Sequence, residues 1–219
     1  MPPDIAALTQ AAERFQAEPS AAGNQNGDHE LRMGGACELR MDGDDEHPTR
    51  TISGYAAVFN QPADIGYYTE EIAPGAFAES LRQDDVVALF NHDPNLLLGR
   101  SSGGTLRLVE DDRGLHYEFD VPDTQAGQDL VTSVERKDVI GSSFAFRTLD
   151  DEWSTKDGEP FRLITRAKLF DVSPVTYPAY RTTSVAARSL DRFIDEHRPT
   201  LEPWQMDLMR RRQLLAETQ

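Results

Sequence analysis

The chain has a single cysteine, Cys37, among 219 residues, so neither an internal disulfide nor a multi-cysteine zinc site can be built from it. Its five histidines (His29, His47, His92, His116, His197) are scattered and show no HExxH or comparable ligand spacing, so neither a metal nor a cofactor is expected. Positive charge is also scarce: 22 basic residues face 38 acidic ones, for a formal net charge of -16. Nucleic acid and anionic membrane are therefore poor partners, because both would repel such a surface. No apolar run approaches the roughly 20 residues that span a bilayer. The first residues, MPPDIAALTQAAERF, lack the basic flank and continuous apolar core of a signal peptide, so a reducing, cytoplasmic setting is expected.

What is present suits a globular protein. Hydrophobic residues make up 38% and charged residues 27% of a chain long enough for one domain plus tails, or at most two small domains. Composition divides it in three. Residues 1–35 hold a short helical pattern (Ile5 to Gln16) and then the polar stretch EPSAAGNQNGDHE, which reads as a flexible acidic linker. Residues 36–183 are strand-rich. Residues 184–219 are helical in pattern, broken by Pro199 and Pro203, and carry a basic run, Arg210 to Arg212, that reads as a solvated helix end.

Within the central part, ACELRM, TISGYAAVF, DVVALFNH and VIGSSFAF have strand lengths and strand composition. The acidic loop DGDDEHPTR, Asp42 to Arg50, reads as a solvated hairpin connection. GTLRLVE and GLHYEFDVP form a second hairpin around EDDRG, and FRLITRAKLFDVSPV supplies one or two further strands. Two helices interrupt them: PGAFAESL, Pro74 to Leu81, and DTQAGQDLVTSVERKD, which opens with a capping Asp or Thr. The expected fold class is mixed but mainly β, a barrel or sandwich with peripheral helices.

VIGSSFAF carries two adjacent serines. Successive strand side chains point to opposite faces, so Ser142 shares the core-facing side of Phe144 and Phe146. Ser143 and Ala145 point the other way, where small side chains leave room for a ligand. Only Ser143 is placed like a nucleophile, against the plainer reading of an ordinary strand serine. A hydroxyl needs a base, and the base an orienting group. By context and elimination the base candidate is His92, at the end of an apolar strand and before a turn marked by Asp93 and Pro94. An equally good reading makes it a polar strand-end residue bonded to its own turn, and Asp93 a turn residue. Asp171 lies within the apolar run of Leu169, Phe170, Val172 and Val175, so its carboxylate needs a partner: His92, Arg166 or Arg181. Physics alone leaves that choice open.

The assembled pattern resembles the HK97-type prohead maturation proteases of tailed phages, serine peptidases with a herpesvirus assemblin-like fold. The stretches that carry the resemblance are GYAAVFN, EIAPGAF, DVVALFNHDPNLLLGR, GTLRL, DVPDTQAGQDL, VIGSSFAF and LFDVSPVTYPAY. They keep the family's order across Ile52 to Tyr180, well over half of the chain. The resemblance implies an assemblin-like β-barrel, with His92 as general base, Ser143 as nucleophile and Asp171 as the third member. Ala145 stands where the family commonly has glycine, and Asp171 where it more often has glutamate. Arg147, Arg166 and Arg181 are unranked candidates for oxyanion donors.

The function so implied is a serine endopeptidase that acts inside the assembling procapsid, in the host cytoplasm. Its implied partners are the major capsid protein, cleaved at its scaffolding or delta domain, and the protease itself. The linker from Glu18 to Glu30 and the tail after Tyr180 are the expected self-processing regions. Assemblins act as dimers, so a homodimer is a further expectation, although no segment marks an interface. The alternative is a non-enzymatic capsid-assembly factor on the same fold. An esterase ranks lower, since Ala145 and continued strand replace a GxSxG elbow. A Ser–Lys pair would need Lys137 or Lys168, and neither lies in a recognisable motif.

Overall fold

A computed structural model describes residues 29–43, 48–66, 68–157 and 159–177. The expected N-terminal helix, most of the acidic linker, the C-terminal tail and Arg181 lie outside the described residues. Among the described residues ten strands and two helices follow in order: β1 (Glu30–Gly43), β2 (Pro48–Val58), β3 (Ala63–Asp64), β4 (Thr69–Ile72), α1 (Ser80–Gln83), β5 (Val87–Phe90), β6 (Asp93–Arg100), β7 (Leu106–Glu110), β8 (Gly114–Asp120), α2 (Gln125–Glu135), β9 (Gly141–Lys156) and β10 (Glu159–Val175). The protein is mainly β, as its composition and periodicity predict. Strand β1 starts at Glu30, ahead of the boundary expected at residue 36.

The sheet runs β3-β4-β10-β9-β1-β2-β8-β7, with the β5–β6 hairpin branching from β10. This path is open, so the expected closed barrel is not formed among the described residues. The reason lies in β10. Its outer edge is shared between two short parallel partners, β4 against Phe161–Ile164 and β5 against Asp171–Val172, and no single ladder continues around. The long β9–β10 ribbon bends instead at three register shifts, each of which sharpens the local twist.

Local chemistry explains most elements. The β1–β2 hairpin pairs Gly43 with Pro48 across the acidic loop. Helix α2 is capped by Thr124, whose hydroxyl accepts from Gly127 N at 3.2 Å, and buries Leu130 and Val131. PGAFAESL, expected to be helical, is a run of turns that ends in the four-residue α1. Gly75 sits at φ +85°, a left-handed backbone that an α-helix cannot contain. The core gathers Ile52, Phe77, Tyr117, Phe119, Phe144, Phe146 and Leu169.

One buried feature has no counterpart in the sequence reading. Arg32 Nε donates to Glu70 Oε1 at 2.6 Å and Arg32 Nη2 to Glu30 Oε2 at 2.7 Å. Arg162 Nη1 reaches Glu30 Oε2 and Glu70 Oε2 at 3.0 and 2.9 Å, while its Nε holds Asp151. Thr148 Oγ1 completes Glu30 at 2.7 Å. Side chains of β1, β4, β9 and β10 are thereby tied at one point. Burial opposes the charge on Glu30, but Arg162 and Arg32 outweigh it and hold its carboxyl below the usual range. Burial likewise opposes the charge on both arginines, and the surrounding carboxylates raise them above their ordinary value.

A depressed carboxyl contributes stability above its unfolded pKa, near 4.3, and loses it as pH falls toward the folded value. Melting temperature should therefore drop as pH is lowered through the carboxylate range. Glu30→Gln should flatten that drop and destabilise the protein at neutral pH by about 3 kcal/mol, because it leaves buried arginine charge underpaired. Thermal melts of both proteins at neutral and acid pH check this.

Candidate active site

Strands β5, β10 and β9 lie side by side, since β10 pairs with β5 on one edge and with β9 on the other. Asp171 and Ser173 stand on the middle strand, opposite Ala145 and Ser143 of β9. Ser143, Ala145, Asp171 and Ser173 thus share one face, all small or short. β5 ends at Phe90, which pairs with Asp93 of β6, so Asn91 and His92 form a two-residue hairpin turn. The sequence placed His92 before a turn; it occupies the turn. Asp93 and Pro94 open the returning strand, and Asp93 Oδ1 accepts from Asn95 N at 2.9 Å.

Both turn residues have left-handed backbones, φ +54° at Asn91 and +59° at His92. This is the geometry that two-residue hairpins favour, but glycine is the usual second residue and histidine there costs about 1 kcal/mol. Tertiary contacts hold it. Asn91 N donates to Pro174 O at 3.1 Å, and Asn91 exchanges side-chain hydrogen bonds with Thr176 at 3.2 and 2.9 Å. His92 N donates to Ser173 Oγ at 3.3 Å.

From this turn the imidazole reaches over β10. Its Nδ1 lies 2.6 Å from Asp171 Oδ1 and its Nε2 2.7 Å from Ser143 Oγ. Ser173 Oγ donates to the same Asp171 oxygen at 2.9 Å. With a neutral ring, Nδ1–H donates to the carboxylate and Nε2 accepts the serine proton. Ser143 Oγ also lies 2.8 Å from the Arg32 carbonyl oxygen on β1. A hydroxyl has one proton, so the two acceptors compete for it. Protonating His92 turns the serine proton to Arg32 O, because Nε2–H then becomes the donor.

The adjacent serine is placed otherwise. Ser142 Oγ lies 2.8 Å from the Tyr117 hydroxyl inside the core. A Cβ on Gly54 would fall 2.6 Å from Ser142 Oγ and 3.0 Å from that tyrosine oxygen, so glycine there makes room for the pair. The space expected beside Ser143 and Ala145 is not open: their exposures are 0% and 3%. The His92 ring and the Arg32 carbonyl occupy the Ser143 side. A carbonyl group approaches Oγ only when this packing shifts.

The remaining candidates lie elsewhere. Asp171 pairs with His92 rather than Arg166, which reaches Glu79 and Asp150 at 3.5 and 3.6 Å. Arg147 is exposed on β9. His116 meets Tyr55 edge-on across the β2–β8 ladder, and His29 stacks on Phe170 at 3.8 Å. Sequence reading missed Ser173 and the Arg32 carbonyl. The signal for Ser173 was its i, i+2 spacing from Asp171 on one strand; a main-chain carbonyl leaves none. Among the described residues no group of three or more His, Cys, Asp or Glu side chains gathers as a metal site.

No curated protein matches the chain in sequence. Among solved structures it is similar to the bacteriophage T4 capsid assembly protease, gp21, with a TM-score of 0.49 and 11% identity over 69% of this chain and 98% of that one. The family model described as caudovirus prohead serine protease matches residues 37–196, which include His92, Ser143 and Asp171. With more than half of its length matched, the chain belongs to the caudovirus prohead serine protease family.

Proposed function

We propose that this prohead serine protease is a serine endopeptidase in which Ser143 is the nucleophile, His92 the general base and Asp171 the group that orients the imidazole. The observation that carries the reading is one imidazole held between a carboxylate at 2.6 Å and a hydroxyl at 2.7 Å. Ser143 Oγ attacks the peptide carbonyl while His92 Nε2 takes its proton. The imidazolium so formed is stabilised by Asp171 and returns the proton to the leaving amine. Water, deprotonated in turn by His92, then releases the acyl group and regenerates the serine.

The family places the reaction in phage capsid maturation. The substrates we assign are the scaffolding or delta domain of the major capsid protein and the protease itself, cleaved within the procapsid. The self-cleaved regions would be the linker ahead of β1, from Glu18 to Asp28, and the tail after Tyr180. A homodimer is the assembly state expected from the assemblin resemblance.

Co-expression with the capsid protein of the same phage, followed by intact mass of both chains, tests this. Both chains are expected to lose defined segments, and a fluorophosphonate is expected to add to the peptide containing Ser143. Procapsids that assemble with both chains at full length, with no adduct on that peptide, would establish a non-enzymatic assembly factor instead.

A further inference from the structure

We propose that Ser173 is a positioning residue for the reaction, a buried hydroxyl that locks the orienting carboxylate and the base-bearing turn to each other. The inference rests on the assignment of His92, Ser143 and Asp171 above. Ser173 has no exposed surface. Its single proton goes to Asp171 Oδ1 at 2.9 Å, the oxygen that also meets His92 Nδ1. One of its lone pairs takes the His92 main-chain N–H at 3.3 Å. Register sets it directly beside Ser143 across the β9–β10 ladder. Ser173 thus bonds to two members of the constellation and stands next to the third.

A buried serine always needs a partner, and a backbone carbonyl would satisfy it. Here the partners are specific to the chemistry. The O–H donor fixes the Asp171 rotamer so that Oδ1 faces the imidazole. The acceptor lone pair holds the backbone of a histidine whose φ of +59° persists only if surrounding contacts impose it. The two bonds act on the ring from opposite ends: one sets where Nδ1 finds its acceptor, the other where the ring is anchored. Without them the carboxylate can rotate and the turn can relax. Either change moves Nε2 off the serine by enough to weaken proton transfer.

The test compares wild type, Ser173→Ala, Ser173→Thr and Ser143→Ala by two measurements. The first is the rate at which a fluorophosphonate labels the protein. Ser173→Ala is expected to slow labelling by about 10- to 100-fold, the weight of one hydrogen bond to a charged group, and Ser173→Thr to restore it. The second is the low-field proton resonance of the His92 Nδ1–H, which needs no turnover. It is expected in wild type, Ser173→Thr and Ser143→Ala, and lost in Ser173→Ala. Retention of that resonance together with wild-type labelling in Ser173→Ala overturns the proposal and leaves Ser173 a packing residue. If labelling persists in Ser143→Ala, the nucleophile assignment fails, and the resonance alone still decides whether Ser173 positions the ring. If Ser173→Ala does not fold, Ser173→Cys replaces it, keeping the volume while weakening the donor.

Discussion

Ser143→Ala is expected to lower the rate of capsid-protein cleavage by roughly 10⁴- to 10⁶-fold, while Ser142→Ala retains cleavage. The two residues are neighbours of the same type, both fully buried, so composition and burial do not separate them. Strand parity does. Ser143 Oγ lies 2.7 Å from the imidazole, and Ser142 Oγ is paired with Tyr117 on the opposite face. Removing the first deletes the atom proposed to attack. Removing the second deletes one hydrogen bond inside the core, a loss of about 1–2 kcal/mol in stability rather than in rate. Quantified cleavage of the capsid protein in co-expression, beside thermal melts of each variant, separates the outcomes. Cleavage by Ser143→Ala at the wild-type rate would remove Ser143 from the mechanism.

Asp171→Asn should cost roughly 10²- to 10⁴-fold in the same assay without a matching loss of stability. Asparagine keeps an oxygen that can accept from Nδ1–H and from Ser173, but it carries no charge. In the proposed mechanism the imidazolium then lacks its counter-ion, in a site where the Asp171 side chain is only 11% exposed and water screens little. Asp171→Glu keeps the charge and adds one methylene to a contact already set at 2.6 Å, so it should fall between wild type and asparagine. An asparagine variant as active as wild type would show that Asp171 serves only to bury a hydrogen bond.

Several of these features are legible in the sequence because they depend on spacing within one segment. The alternation in VIGSSFAF separates Ser142 from Ser143 before any partner strand is known. A capping Asp or Thr followed by Leu130, Val131 and Val134 at helical spacing marks an amphipathic helix, and the structure chooses Thr124 as its cap. A carboxylate among Leu169, Phe170, Val172 and Val175 announces that it needs a partner, since an unpaired buried charge is too costly. Chemistry of that kind is local, and local sequence specifies it.

What the tertiary structure decided is which distant segments meet and in what register. Asp171 had three candidate partners on paper. His92 takes it because β5 runs parallel to β10 and delivers its turn over that strand. The continuation of β9 through Asp150, Asp151 and Glu152 carries no strand-like alternation of apolar residues, and the ladder to β10 imposes it. The cluster of Glu30, Arg32, Glu70 and Arg162 draws on segments far apart in the chain, each ordinary by itself. The open path of the sheet is likewise a property of how β10 divides its edge. Periodicity along a strand determines which face a side chain takes; only hydrogen bonding between strands determines what it faces.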